Sequence, residues 1–68
     1  MAKEKYQTTT YVDTNGNLHV GTDASSVMVP NADKRAVVAA NFGTGIIAYT
    51  PGFQSMWQLK EDGTWADI

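Results

Sequence analysis

From Gly45 to Ile68 β-prone and alternating runs are interrupted twice by strong turn signals. Ile46, Ile47 and Tyr49 form a β-prone run. Pro51-Gly52 follows, with proline presetting φ and glycine supplying positive φ. Met56-Trp57-Gln58-Leu59-Lys60 alternates again, Asp62-Gly63 turns, and Thr64-Trp65-Ala66-Asp67-Ile68 makes a last strand. Three strands joined by two tight turns predict a three-stranded antiparallel meander, which leaves room for little else in so short a chain.

Sixty-eight residues make one small domain. A chain of this size buries only about 60% of its unfolded surface, so reinforcement is expected. No cysteine is present, which removes disulfides and thiolate metal sites, and a single histidine cannot build a histidine-rich zinc site. Self-association or docking on a larger partner is the reinforcement left, and no cofactor is expected. The formal net charge is −2. The basic residues Lys3, Lys5, Lys34, Arg35 and Lys60 each stand near an acid, so no basic stripe is available for nucleic acid. No apolar run approaches a membrane span, and no signal-peptide pattern opens the sequence. A soluble protein made in the cytoplasm is the expectation.

The first half reads as a hairpin and a helix. Residues 1–8 are polar and are expected to form a loosely ordered arm. Thr9 to Gly21 predicts a hairpin around Asn15-Gly16. A three-residue loop, pairing Val12 with Leu18, gives cleaner faces than a two-residue one. It puts Val12, Leu18 and Val20 on one side and Tyr11, Asp13, Asn17 and His19 on the other. Thr22 to Ser26 reads as a polar connector. Val27-Met28-Val29 is stopped by Pro30, which suggests an edge strand or an extended linker. Asn31 is a candidate N-cap and Gly43 a candidate C′ residue of a short helix near 32–42. Arg35, Val38, Ala39 and Phe42 share one face of that helix, with Phe42 as its expected anchor. The fold class is therefore mainly β, a small α+β domain with two hairpins and one helix.

The final hairpin also has two registers. A two-residue turn at Asp62-Gly63 puts Trp57, Leu59, Ala66 and Ile68 on one face and leaves Trp65 with Lys60 on the other. A three-residue loop puts Trp57, Leu59 and Trp65 together, on a face that also carries Asp67.

Motifs for chemistry do not survive their own requirements. Gly43-Thr44-Gly45-Ile46-Ile47-Ala48 matches a dinucleotide fingerprint by letters, but that motif needs strand before and helix after, and here the order is reversed. Asp13-Thr14-Asn15-Gly16-Asn17 begins like a calcium loop, yet the sixth and twelfth loop positions hold Leu18 and Ala24. Ser25, Ser26 and Ser55 lie in polar segments with no nucleophile-elbow motif, and His19 reads as an exposed strand residue. Glu61 and Asp62 are adjacent turn carboxylates rather than a spaced acid and base. The expectation is a protein that is not an enzyme, with no catalytic, metal or cofactor residues.

The aromatic set Tyr11, Tyr49, Phe53, Trp57 and Trp65 is large for the chain. Two or three of these residues are needed for a core. The remainder, taken as Tyr11, Phe53 and Trp65, are candidates for an exposed partner-binding patch, because tyrosine and tryptophan dominate interface hot spots. The same rings are also suited to stacking on a sugar.

The segment Gly45-Ile46-Ile47-Ala48-Tyr49-Thr50, followed by Met56-Trp57-Gln58-Leu59 and Asp62-Gly63-Thr64-Trp65, resembles the C-terminal portion of short proteins encoded among bacteriophage structural genes. Their pattern runs roughly G-S/T-x-A-Y/H-T, W/Y-x-L and D/G-G-x-W, and Asp33-Lys34-Arg35 to Phe42-Gly43 is similar as well. The likeness covers about the last half of the chain and departs at Ile46, where serine or threonine is usual. It implies a virion-associated structural or assembly accessory protein, such as a head, head-fibre or tail component. A second reading is a phage-encoded binding module or inhibitor of a host protein, steered by its acidic groups.

Overall fold

The structure, a computed structural model, describes residues 8–68. The expected N-terminal arm lies outside the described residues except for Thr8, whose carbonyl accepts a hydrogen bond from the Asp23 N–H at 2.9 Å. Six strands form one sheet: β1 Tyr11–Val12, β2 Leu18–His19, β3 Ser26–Met28, β4 Ile47–Tyr49, β5 Met56–Leu59 and β6 Trp65–Asp67. Their order is β2-β1-β3-β4-β5-β6. A 3-10 turn at Ala32–Lys34 leads directly into helix α1, Arg35–Asn41. The chain is a small α+β domain, mainly β.

Both hairpins close with the same three-residue loop. Asp13 N–H donates to the Asn17 carbonyl and Gly16 N–H to that of Asp13. Lys60 N–H donates to the Thr64 carbonyl and Gly63 N–H to that of Lys60 in the same pattern. Gly16 (φ 88) and Gly63 (φ 86) supply the left-handed residue in each loop, whereas Asn15 and Asp62 keep negative φ. A two-residue I′ turn needs positive φ at both central positions, so only the three-residue loop fits. Val12 therefore pairs with Leu18 as expected, and Leu59 pairs with Trp65. The second pairing overturns the two-residue register of the last hairpin. Trp65 shares a face with Trp57 and Leu59, while Lys60 does not cover it.

β3 corrects a larger expectation. Pro30 suggested an edge or a linker, yet β3 is interior and runs parallel to both β1 and β4. Proline is harmless because it falls two residues beyond the last ladder residue. Val29 N–H still donates to the Tyr49 carbonyl at 2.8 Å before the chain leaves the sheet. Val27 and Val29 are fully buried.

The helix lies on the side of the sheet that carries Val12, Val27, Ala48, Trp57, Leu59 and Trp65. Asn31 caps its entry, with the side-chain oxygen accepting from the Asp33 N–H. Val38 is the fully buried anchor, joined by half-buried Ala39 and Phe42, so Phe42 is not the main anchor. Phe42 ends α1 in an extended conformation, and Gly43 follows without the left-handed φ expected of a C′ glycine. Val20 lies beyond β2 and is two-thirds exposed, so it does not share the burial of Val12, with which it was grouped on one side. Thr10 is the one buried polar residue among those described. Its hydroxyl donates to the Asp23 carbonyl at 2.6 Å and accepts from the Gly21 N–H at 3.0 Å. Gly21 must be small there, since a Cβ would stand 2.6 Å from the Thr8 and Thr9 carbonyl oxygens.

Candidate docking face

The sheet registers place His19, Tyr11, Met28, Tyr49 and Met56 directly opposite one another in turn, across five adjacent strands. Residues that stand opposite share a face, and successive residues alternate. This row therefore lies on the side away from α1. A second row, Ser26, Ile47, Gln58 and Ala66, runs beside it on the same side. Among the described residues no helix or strand covers these two rows. They hold no aspartate, glutamate, lysine or arginine.

The row is organised at both ends. Tyr11 and His19 stack with centroids 4.5 Å apart and planes within 5°. His19 Nε2 is 2.9 Å from Asp13 Oδ2. Asp13 Oδ1 accepts from the Asn15 and Asn17 N–H groups, both at 2.9 Å. The His19 contact first, then the Asn17 N–H, holds the Asp13 carboxyl down at about 2. At the other end Phe53 stacks on Tyr49 at 5.0 Å. The Thr50–Phe53 turn has Pro51 and Gly52 at its centre, and the Phe53 N–H closes it on the Thr50 carbonyl. Phe53 itself has φ +57 and is 65% exposed. A bulky residue in the left-handed region is strained, and such strain concentrates at functional positions.

Of the three residues expected to form a patch, Tyr11 lies on this face and Phe53 borders it over Tyr49. Trp65 is on the opposite side, half-buried against the core beneath Arg35, whose guanidinium carbon is 5.8 Å from its ring centroid. The three do not form one patch. Met28, Tyr49, Met56 and His19 complete the face, and period-2 alternation of Met28 and Tyr49 with buried Val27 and Ala48 was the signal for two of them.

Methionine adapts its shape to a partner, and tyrosine supplies large contact area with few rotamers. The face is thus suited to packing against another protein surface. Elsewhere the exposed polar groups are spent on turns. Ser25 donates its hydroxyl to Asp23 Oδ1, and Thr64 donates both its hydroxyl and its N–H to Asp62 Oδ1. These bonds lower the Asp23 and Asp62 carboxyls below their ordinary range. Comparison with protein-family models, with curated proteins and with solved structures finds no match to this chain.

Proposed function

We propose that this chain is a non-enzymatic structural or assembly accessory protein of a bacteriophage particle, docking on a neighbouring protein through the open side of its sheet. The observation that carries the docking mode is the continuous row His19–Tyr11–Met28–Tyr49–Met56, extended by strained Phe53. The particle is suggested by the resemblance of Gly45–Trp65 to proteins encoded among phage structural genes. The two supports are independent. The tyrosine and methionine at the centre of this face suit a lasting contact, since charged residues are depleted at the centre of interfaces.

The test is mass spectrometry of purified particles produced by the genome that carries this gene. The chain should be present in a fixed copy number, and Tyr49→Lys should reduce its incorporation while the free protein stays folded. Particles that lack the chain, and that assemble unchanged when the gene is deleted, would overturn the reading.

A further inference from the structure

Among the described residues β6 is an outer strand of the sheet, and its outward groups can be assigned from the hydrogen bonds to β5. Lys60 N–H donates to the Thr64 carbonyl and Ile68 N–H to that of Met56. In an antiparallel ladder, hydrogen-bonded pairs alternate with non-bonded ones. Thr64, Ala66 and Ile68 therefore turn their backbone groups towards β5. Trp65 and Asp67 turn theirs to the open edge, and both side chains lie on the helix side. No lysine or proline guards this strand.

Arg35 stands beside that edge, over the rings of Trp57 and Trp65. Its guanidinium carbon is 4.7 Å from the Trp57 ring centroid and 5.8 Å from that of Trp65, and its Nε donates to the Ala32 carbonyl at 2.9 Å. Among the described residues no carboxylate lies within ion-pair distance of it; the pair found there is His19–Asp13. It lines a cleft of about 440 Å³ with Ala36, Ala39, Gly63 and Trp65, and Asp33 lines the same cleft without pairing to it.

We infer that two copies of this chain pair through β6, antiparallel and centred on Ala66, so that Asp67 of each copy meets the Arg35–Trp65 pair of the other. In this register Trp65 faces the second copy's Asp67, and both present free N–H and C=O groups. Four backbone hydrogen bonds can form in two such pairs. Ala66 meets its own copy at the non-bonded position, where strands approach most closely and a small side chain is needed. Side chains directly opposite have Cβ atoms about 5 Å apart, which brings the Asp67 carboxylate over the Trp65 edge towards the guanidinium. A register that set Asp67 against Asp67 would oppose like charges, so the same residue selects for one pairing and against its neighbour. The two-fold axis runs through the sheet. Both helices fall on one side and both open faces on the other. Arg35, Trp65 and Asp67 lie on the helix side, so the inference does not rest on the docking face.

The experiment is sedimentation equilibrium of the full chain over a wide concentration range, with Arg35→Glu, Asp67→Arg and the double exchange. Wild type should dimerise reversibly. Each single variant should weaken the dimer by about thirtyfold or more, as loss of one partner of a desolvated charge pair does. The double exchange should recover most of that loss, which a merely structural role for Arg35 would not produce. Asp67 is exposed, so Asp67→Arg tests the contact even where an Arg35 variant fails to fold. Wild type that stays monomeric at the highest concentration overturns the inference and leaves the particle reading untouched. Dimers that survive both single exchanges but are abolished by Tyr49→Lys also overturn it, and move the contact to the open face.

Discussion

Tyr11 and His19 face each other across β1 and β2 with parallel rings 4.5 Å apart, and the imidazole Nε2 lies 2.9 Å from Asp13 Oδ2. The hairpin end is thus fastened by one carboxylate that also closes its loop through two N–H groups.

That carboxylate sets a pH dependence. The Asp13 carboxyl falls from an ordinary value of 3.8 to about 2 in the folded chain. A group whose folded value is depressed stabilises the fold above its unfolded value and loses that contribution as pH falls. The contribution is complete above about pH 4 and disappears as pH falls through about 2. Urea midpoints should decline over that window, and Asp13→Asn should flatten the decline. An unchanged acid limb in Asp13→Asn would show that Asp23 and Asp62, also lowered by hydrogen bonds, account for it.

Thr10 joins the first strand to the connector after β2. Thr10→Val keeps the volume but strands the Gly21 N–H and the Asp23 carbonyl, at a cost of about 1–3 kcal/mol. Thr10→Ser retains the hydroxyl and should lose less. Equilibrium denaturation of the two variants distinguishes a hydrogen-bonding role from simple packing, which would make the serine variant the weaker one.

Phe53 separates stability from docking. Its left-handed backbone costs about 1–2 kcal/mol, while stacking on Tyr49 returns about 0.5–1.5 kcal/mol. Glycine removes both terms and adds its own chain entropy of about 0.5–1 kcal/mol. Phe53→Gly should therefore shift stability by no more than about 1.5 kcal/mol and, on the proposed docking role, still reduce incorporation into particles. A variant that is incorporated as well as wild type would remove Phe53 from the docking face.

Trp65 supports the fold itself. It packs against the core and beneath Arg35, so Trp65→Ala should cost about 2 kcal/mol in an unfolding titration. A loss near zero would place the ring outside the core.

The local parts of this fold are legible in the sequence. Asn15-Gly16, Pro51-Gly52 and Asp62-Gly63 mark the hairpins and the turn before β5, and Asn31 marks the helix start. What sequence misses depends on a single residue of register or on distant pairing. Asp62-Gly63 reads as a two-residue turn by composition. Asp62 instead binds Thr64 and keeps negative φ, which moves Trp65 to the opposite face. Parallel strands need no local turn, so nothing adjacent to Val27 announces that it lies between β1 and β4. The row on the open face was half visible for the same reason. Tyr11 and Phe53 stand out as aromatics, but only the parallel registers of β3 align Met28 with Tyr11 and Tyr49.

The place of β3 also governs how the chain reaches its folded state. Each hairpin closes over a short stretch and can form in microseconds. Neither can join the other until β3 inserts between them, with partners drawn from before and after it in the chain. The closing step is thus a search over long chain separations, which is what slows small β-rich domains. Until it is complete, the N-terminal hairpin and the C-terminal meander are two separate pieces with exposed inner edges. The long-range pairing of β3, more than the strength of either hairpin, is thus what unites the two ends of the sheet.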